Sequence, residues 1–332
     1  MGRTLRRVVV TCLSLALIVG LPASAWGLTD GKRAARGAAY LASQQQPDGS
    51  IPAFSPIGST ADAILAFVAS GAGGKAMHEA IGYLRAQTVA GNVNNLGLRA
   101  KVVLALDAAG RNPSAFGGHD LVTEIGSTLR TNGRFGSDAV LDDALAVLAL
   151  VSAGDPPVAK ASTWLLKAQC PDGGWAYDEP YDPKHDDAHC HSGSSDFFDS
   201  DSNTTGYVVM ALAATGHTGW SVSPFAFFDT LRDPDKGGWS YSGSFIATDA
   251  NSTSLVLQAY AAAGVHVPPG GLSALRGLQY ADCGAWAYSW NGDTLGDPDV
   301  GATIAAVPAV LLEPLPITPS PVKKGVPAVP AC

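Results

Sequence analysis

The sequence predicts an all-α protein folded as an (α/α)6 toroid, a double-layered barrel of six helical hairpins. Six Ala-rich apolar segments recur along the chain, a more amphipathic segment precedes each of them, and three near-identical Gly-Trp turns lie between such segments. Internal repeats of this kind stack on their neighbours because a single repeat cannot bury its own apolar face. Six of them can close into a ring.

The Ala-rich segments predict the inner helices of the barrel. They align without gaps at 59–71, 98–110, 142–154, 204–216, 252–264 and 302–313, and all but the last end in glycine. Each is apolar nearly all round, which is typical of a buried helix. We expect the closing glycine to be a left-handed C-cap.

The preceding segments predict the outer helices. They place apolar residues at helical spacing with polar residues between, as in "KRAARGAAYLASQQ" and "PVAKASTWLLKAQ". Because the connections are short, neighbouring helices should be antiparallel. Six inner N-termini then meet at one end of the barrel and surround an apolar funnel with polar side chains, a shape that suits a ligand.

The turns "QCPDGGWAY" (169–177), "DPDKGGWSY" (233–241) and "ADCGAWAY" (281–288) predict a structural joint. Glycine adopts backbone angles that a Cβ forbids, and tryptophan buries a large area. We expect the Trp to pack between adjacent repeats. The Gln before the turn should hydrogen-bond the ends of neighbouring helices.

The chain ends predict export. Residues 1–25 combine three arginines, an apolar run and "ASA", as in a signal peptide. The apolar run is too short for a comfortable transmembrane helix, and no second one follows. The protein is therefore expected to be secreted, periplasmic or on the cell surface. The toroid should span 26–313, and the Pro-rich tail, 314–332, is a strap or a spacer.

The net charge argues against one class of partner, and the cysteines predict disulfides. The formal net charge of -8, without basic clusters, argues against nucleic acid as a partner. Four cysteines follow the leader, and export favours their pairing. We favour Cys170 with Cys190, which would close the longest loop, and Cys283 with Cys332, which would fix the tail.

One stretch carries a family likeness. "WLLKAQCPDGGW" (164–175), with a weaker copy in "YLASQQQPDGSI" (40–51), resembles the QW repeat of squalene-hopene and related terpenoid cyclases. The wider superfamily includes protein prenyltransferases and the cobalamin carriers intrinsic factor and transcobalamin. The likeness covers about 31–313. It implies the toroid fold, with members that cyclise polyprenes, transfer prenyl groups or only bind ligands.

The chemistry that the resemblance implies is not conserved throughout. The cyclase Asp-x-Asp-Asp-Thr-Ala motif aligns with "DSNTTG" (201–206), where Asn203 replaces the proton-donating acid. Prenyl transfer needs basic residues for a diphosphate, which this acidic chain lacks. "NSTSLVLQAY" (251–260) is similar to an inner helix of the cobalamin carriers, with Gln258 one turn in. Their second domain is absent, so a partner domain or protein would have to cover the mouth.

The starts of the inner helices supply the predicted ligand contacts. Asp201, Asp249 and Asp299 occupy one column of the repeat and are either N-caps or part of a polar ring. The other predicted ligand-binding residues are Thr205, Tyr207, Thr253 and Gln258. Asp142 and Asp143 begin one inner helix where other repeats have Ser-Thr. They are either caps or, in an enzyme, the acid catalysts.

The insertion loop, 176–202, occurs in one repeat only. His185, His189 and His191, with carboxylates nearby, either bind a divalent metal or belong to a solvated polar loop closed by a disulfide. Phe197 and Phe198 in the same loop suggest a lid over the funnel.

Together these features predict a toroid that binds a bulky, partly apolar ligand, isoprenoid- or corrinoid-like, in the barrel mouth without catalysis. One alternative is a terpenoid cyclase or prenyltransferase-like enzyme that uses Asp142, Asp143 or a loop metal. The others are a glycan-active barrel, since toroids with paired carboxylates cleave polysaccharides, and a structural surface module. The aromatic residues concentrated in the Gly-Trp turns leave few for stacking on sugars.

Overall fold

The computed structural model describes residues 28–137, 139–157, 159–178, 181–182, 187–188, 199–322 and 325–332. The predicted signal peptide, 1–25, lies outside this part of the chain. Within the described ranges, no helix is long and apolar enough to cross a membrane.

Twelve α-helices succeed one another in the described residues, between residues 30 and 309. They are α1 (Asp30–Ser43), α2 (Pro56–Ser70), α3 (Gly74–Val89), α4 (Leu96–Ala108), α5 (Leu121–Gly126), α6 (Val140–Ser152), α7 (Ala159–Lys167), α8 (Ser202–Ala214), α9 (Pro224–Thr230), α10 (Ala250–Ala262), α11 (Gly271–Gly277) and α12 (Val300–Ala309). Even-numbered helices are the predicted inner ones and odd-numbered helices the outer ones. Each successive pair forms one repeat, so the all-α, six-hairpin prediction is confirmed.

The inner helices form a closed ring. Each packs on the inner helix of the next repeat, and α12 packs back on α2. Helix α1 touches both α2 and α12, so the outer layer also spans the closure. A closed ring leaves no apolar end exposed. All six inner helices begin at one end of the barrel, here called the mouth, because each follows an antiparallel outer helix.

The ends of the inner helices follow from single residues. The glycines predicted as C-caps, at positions 71, 110, 154, 216 and 264, all have φ between 64° and 81°, a region that L side chains rarely adopt. The last repeat lacks this glycine. Helix α12 instead carries Pro308 near its end, and Leu312 adopts a φ of 56°.

Short two-residue strands join the turns to the inner helices. Those in the described residues are β1 (Trp175–Ala176), β2 (Tyr181–Asp182), β3 (Asp187–Ala188), β4 (Ser200–Asp201), β5 (Trp286–Ala287), β6 (Trp290–Asn291), β7 (Thr294–Leu295) and β8 (Pro298–Asp299). The antiparallel pairs are β1–β4, β2–β3, β5–β8 and β6–β7. In β1–β4 and β5–β8, the Trp of the turn lies opposite the Asp that caps the next inner helix.

In five of the six repeats, the turn is bonded to the inner helix that follows it. The backbone N–H of Trp239 donates to Thr253 Oγ1 at 3.0 Å. The same bond, 2.8–2.9 Å long, recurs in four other repeats, from Ile51 to Thr60, Phe135 to Asp143, Trp175 to Thr205 and Trp286 to Thr303. Side chains at this column are buried, so they satisfy N–H groups that water cannot reach.

The Gly-Trp turns also join neighbouring repeats, as the sequence predicts. Gln169 Nε2 donates to the carbonyl of Gly173 at 2.9 Å and to that of Val222, just before α9, at 2.8 Å. Gln279 Nε2 makes the corresponding bond to the Arg33 carbonyl at 3.0 Å, which connects the last repeat to the first. Gly284, with φ of 86°, lies so close to α1 that a Cβ would meet the Arg36 carbonyl oxygen at 2.4 Å.

The Pro-rich tail crosses the end of the barrel opposite the mouth, as a strap. Gln258 Nε2 donates to the Glu313 carbonyl at 2.7 Å, and Leu315 and Ile317 are buried. The predicted Cys283–Cys332 disulfide is present, with a Cα–Cα distance of 5.2 Å. Cys170 is also disulfide-bonded. Its predicted partner, Cys190, lies outside the described residues.

Replacing Thr253 with Val tests the bond between turn and inner helix. The variant keeps the shape of the side chain but leaves the Trp239 N–H buried without an acceptor, so we expect the free energy of unfolding to fall by roughly 1–3 kcal/mol. Chemical denaturation measures this. Thr253→Ser, which keeps the hydroxyl, is the matched control and should lose less. Equal stability of the two variants would contradict a role for this bond.

Candidate functional site

The mouth leads into a cavity of about 670 Å³ that all six inner helices line. Three levels of side chains face it, because residues four and seven positions apart share one face of a helix. The level at the mouth is Gly58, Gly97, Leu141, Asn203, Asn251 and Gly301, and the middle level is Asp62, Lys101, Leu145, Tyr207, Leu255 and Ala305. Deeper still are Leu65, Gln258 and Pro308, and Leu315 from the tail also lines the cavity.

The charged side chains of the wall all lie on one side of the cavity. Helices α2, α4 and α6 contribute Asp62, Lys101 and Asp142, whereas α10 and α12 contribute no charged side chain. The apolar lining is more widespread, since Leu145 of α6 faces the cavity as Leu255 of α10 and Ala305 of α12 do. The sequence alone did not single out Asp62 or Lys101. The signal that could have found them is a charged residue inside an otherwise apolar inner segment.

An ion pair holds the polar side together. Lys101 Nζ lies 2.5 Å from Asp62 Oδ2, and about a quarter of each side chain is exposed. Burial alone lowers the pKa of Lys101, but the neighbouring Asp62 carboxylate more than offsets this, so the pKa is raised and the side chain stays cationic. By contrast, burial raises the pKa of the Tyr207 hydroxyl, which lies near this ion pair.

Asp142 is the second carboxylate of the cavity. Its Oδ2 accepts a hydrogen bond from the Ser137 hydroxyl at 2.8 Å. Its Oδ1 lies against Gly97, where a Cβ would come within 2.3 Å, so only glycine fits beside it. Burial raises the pKa of Asp142, against the opposing effects of Ser137 and Lys101. A carboxyl group with a raised pKa inside a cavity can bind a hydroxyl, receive a cation or donate a proton.

Asp143 does not reach the cavity. Its side chain is 1% exposed, and Oδ1 accepts the Phe135 N–H at 2.8 Å, the place that threonine takes in other repeats. The predicted capping role is also wrong for both aspartates, because the N-cap of α6 is Ala139, which makes no side-chain capping bond. Of the two candidate acids, only Asp142 can meet a ligand in this cavity.

The column of aspartates caps the inner helices. Asp201, Asp249 and Asp299 accept backbone N–H groups of α8, α10 and α12 at 2.6–2.8 Å, and none of them lines the cavity. Of the two interpretations that the sequence left open, N-caps or a polar ring around the mouth, the structure supports the N-caps. Burial raises the pKa of Asp201 and that of Asp249 to about 6 each.

The other predicted ligand contacts fall into two groups, those that line the cavity and those that do not. Tyr207 and Gln258 line the cavity. Thr205 and Thr253 are fully buried against the Gly-Trp turns, where they bind Trp N–H groups, so they do not face a ligand.

The loop predictions fall beyond the described ranges. His185, His189, His191, Phe197 and Phe198 lie outside the residues that the structure describes. Among described residues, no group of three or more His, Cys, Asp and Glu side chains is arranged to hold a metal ion.

Aromatic rings of the Gly-Trp turns themselves surround the mouth, so the turns leave more exposed rings than the sequence predicts. The Trp of each turn is buried, but the Tyr two residues later is exposed, by 38% at Tyr177, 41% at Tyr241 and 44% at Tyr288. Phe54, in the corresponding segment of the first repeat, is 88% exposed. Phe54 and Tyr177 also line the cavity.

Comparison with known proteins finds similarity in structure and not in sequence. No protein-family model matches the chain, and no curated protein matches it. Among solved structures, it is similar to an unsaturated glucuronyl hydrolase specific for heparin, with a TM-score of 0.61, 10% identity, and coverage of 85% of this chain and 96% of that one.

Two further structures show the same likeness. The GH76A α-1,6-mannanase from Salegentibacter sp. HEL1_6 has a TM-score of 0.57 at 12% identity, over 86% of this chain and 100% of that one. The type II terpene cyclase MstE from Scytonema has 0.55 at 13% identity, over 85% and 97%. The predicted likeness to terpenoid cyclase toroids is therefore confirmed at the level of the fold, which the two glycan-degrading enzymes share.

Replacing Asp201 with Asn tests the buried caps. The native carboxyl group, with a pKa of about 6, binds its proton more tightly than the unfolded chain, where the value is about 4. Its stabilising contribution is therefore present below pH about 4 and is lost as pH rises through about 6. Asparagine caps equally well without ionising. Above pH 6 the variant should be more stable than the wild type by roughly 1–3 kcal/mol.

Thermal or chemical unfolding between pH 4 and pH 8 measures this difference, which should shrink toward pH 4. Asp120→Asn is the matched control. Asp120 caps α5 at the surface, and hydrogen bonds from Thr123 lower its pKa, so this variant should not gain stability above pH 6. A pH-independent effect of Asp201→Asn would contradict the buried carboxylate as its cause.

Proposed function

We propose that this chain is an exported toroid that binds one bulky, amphipathic small molecule in the cavity at the barrel mouth. The observation that carries the proposal is a largely apolar cavity whose charged side chains are confined to three neighbouring helices, α2, α4 and α6. A ligand with an apolar body and a polar end would match such a wall. The volume of about 670 Å³ falls in the range of small-molecule sites.

The apolar body would lie against α10, α12 and the tail. Leu255, Ile304 and Ala305 form this side, and Leu315 lines the cavity from the strap. Covering these side chains removes apolar surface from water, which stabilises a complex by about 25 cal/mol per Å² before the cost of association. The strap thus gives the cavity an apolar surface that the inner helices alone do not supply.

The polar end would face α2, α4, α6 and α8. Asp62, Lys101, Asp142 and Tyr207 offer both hydrogen-bond donors and acceptors. They also make an unsubstituted hydrocarbon a poor ligand, because it would leave these groups desolvated without partners. An isoprenoid carrying a polar group meets these requirements, and so do other amphiphiles of similar size.

A specific observation favours a second candidate, hydrolysis of a neutral glycan. Two carboxylates, Asp62 and Asp142, line the same cavity, and exposed tyrosines surround its mouth. Glycoside hydrolases use two carboxylates with different protonation states. The mannanase that shares this fold has an inactive variant in which two adjacent aspartates are replaced by asparagine. Here Asp142 and Asp143 are adjacent, but Asp143 is buried against Phe135.

The terpenoid cyclase alternative has weaker support. Asn203 lines the mouth at the position of the family's acid, and an amide does not donate a proton as a carboxylic acid does. Any acid chemistry in this cavity would fall to Asp142.

Filling the cavity tests the binding proposal. Ala305 faces the cavity from α12, so Ala305→Trp should occupy much of the apolar side. We expect the wild type to bind dodecyl maltoside below its critical micelle concentration with one site per chain, and the variant to bind at least about tenfold more weakly, a change of about 1.4 kcal/mol. Isothermal titration calorimetry measures both affinities.

The matched control is Ala86→Trp, which adds the same ring at an exposed position of outer helix α3. It should bind as the wild type does. If Ala305→Trp folds and binds dodecyl maltoside as tightly as Ala86→Trp, the probe does not bind in the cavity and the proposal is wrong.

The glycan candidate is tested by release of reducing ends from α-1,6-mannan. An enzyme should lose this activity, by a factor of about 100 or more, in both Asp142→Asn and Asp62→Asn. Asp107→Asn is the control, because Asp107 lies on the same helix as Lys101 but bonds Ser152 outside the cavity. Absence of release by the wild type would remove this candidate for mannan.

A further inference from the structure

The charged side chains that line the cavity indicate which polar group a ligand would carry. Lys101 is the one cationic side chain among the described residues that line the cavity, and it lies 2.5 Å from Asp62. Asp142 is a further carboxylate on the same wall. In its ionised state the wall carries net negative charge, which repels an anionic group and attracts a cation.

Two tyrosines and a second buried aspartate adjoin Asp142. Val140 N–H donates to the Tyr177 carbonyl at 2.8 Å, and Ser202 N–H donates to the Tyr241 carbonyl at 2.9 Å. These bonds fix the two tyrosines at the starts of α6 and α8, neighbouring inner helices that contact each other. Asp142 lies in the first turn of α6, and Asp201 caps α8. We call these four residues, Asp142, Tyr177, Asp201 and Tyr241, the mouth corner.

Asp142 and Tyr177 line the same cavity, and α6 packs on α8, which Asp201 caps. Burial raises the pKa of the Tyr177 hydroxyl, and the carboxylates of Asp142, Asp178 and Asp201 raise it further. Burial and the Asp201 carboxylate do the same for Tyr241. No Lys or Arg contributes to the shift of either tyrosine. The corner is thus acidic and aromatic.

Asp201 contributes an incompletely bonded oxygen. Its side chain is 2% exposed, and Oδ1 accepts the Thr204 N–H at 2.7 Å. Among the described residues, the buried Oδ2 makes no hydrogen bond of good geometry, although the Tyr241 hydroxyl lies close to the carboxylate. A buried carboxylate oxygen without a full set of partners is costly, and a neighbouring cation would stabilise it.

Most backbone N–H groups at these two helix starts are already bonded, which leaves few for an anion. An anion at a helix N-terminus binds free backbone N–H groups. At α8, the N–H groups of Ser202 and Thr204 already donate to Tyr241 and Asp201. At α6, those of Val140 and Asp142 donate to Tyr177 and Ala139.

We propose that the polar end of the ligand is a substituted ammonium group, bound by the ring face of Tyr177 and the carboxylate of Asp142, which both line the cavity, with the buried Asp201 carboxylate and Tyr241 behind them adding negative potential. Aromatic faces bind ammonium groups through the ring quadrupole, and nearby carboxylates add Coulombic attraction. This inference rests on the proposed function, since the hydrocarbon part of the same molecule would occupy the cavity. It narrows the ligand to a cationic amphiphile.

The test compares amphiphiles with one chain and different ends. Dodecyltrimethylammonium, dodecyl maltoside and dodecanoate are titrated by calorimetry below their critical micelle concentrations at pH 7.5. We expect the ammonium compound to bind at least about tenfold more tightly than the maltoside, and dodecanoate to bind most weakly. Asp142→Asn should remove most of the advantage of the ammonium compound, measured as the ratio of ammonium to maltoside affinity within that variant.

A second variant and a pH series keep the test independent of one substitution. Tyr177→Leu retains apolar volume but removes the ring, and it should also weaken ammonium binding selectively. Because burial raises the pKa of Asp142, against Ser137 and Lys101, and raises that of Asp201 to about 6, ammonium affinity should rise with pH as these carboxyl groups ionise. Asp107→Asn, outside the cavity, should change none of these values.

The outcomes separate the two proposals. If dodecyl maltoside binds and Ala305→Trp blocks it, while the ammonium compound binds no better than the maltoside, cavity binding stands and the ammonium inference is wrong. Equal ammonium preference in the wild type and both corner variants would place the cation elsewhere and overturn the mouth corner. If no amphiphile binds, both proposals fail.

Discussion

The toroid depends on one hydrogen bond that recurs in five of its six repeats, from the backbone N–H of the turn's central residue to a side chain on the inner helix that follows. In the repeats where it occurs, the acceptor is threonine or Asp143, and it is buried. The bond fixes where each inner helix starts relative to its turn. Gln169 and Gln279 then join their turns to the next outer helix, and the bond from Gln279 to the Arg33 carbonyl crosses the closure of the ring.

This arrangement determines which side chains face the cavity at the mouth. The turn residues and the capping aspartates bond the backbone N–H groups at the starts of the inner helices. Side chains two to seven residues further along each helix are therefore free to line the cavity. Asp62, Lys101 and Tyr207 share one such position in three repeats, and Leu145, Leu255 and Ala305 share it in the other three. A sixfold backbone thus carries an asymmetric wall. The side chains that line the cavity can therefore differ between repeats while the hydrogen bonds between turn and inner helix stay the same.

The sequence predicted the fold well because its signals are local and repeated. Left-handed glycines, apolar inner segments and Gly-Trp turns each fix a short stretch of backbone. The site was harder to predict because the same column that looks polar and ligand-facing, with Asp201, Thr205, Asp249 and Thr253, is used for capping and for binding Trp N–H groups. Which of two adjacent residues faces inward, as with Asp142 and Asp143, depends on the rotation of the helix. Neither composition nor spacing determines that rotation.

The most direct test of the proposed function is native mass spectrometry of the mature protein purified from the exported fraction, beside the Ala305→Trp variant. Cavity binding predicts one amphiphilic molecule per chain, lost in the variant, whose polar end bears a substituted ammonium if the mouth corner is correctly assigned. A wild-type chain that is empty and also takes up none of the dodecyl probes would contradict cavity binding. Retention of the same molecule by both proteins would contradict it equally.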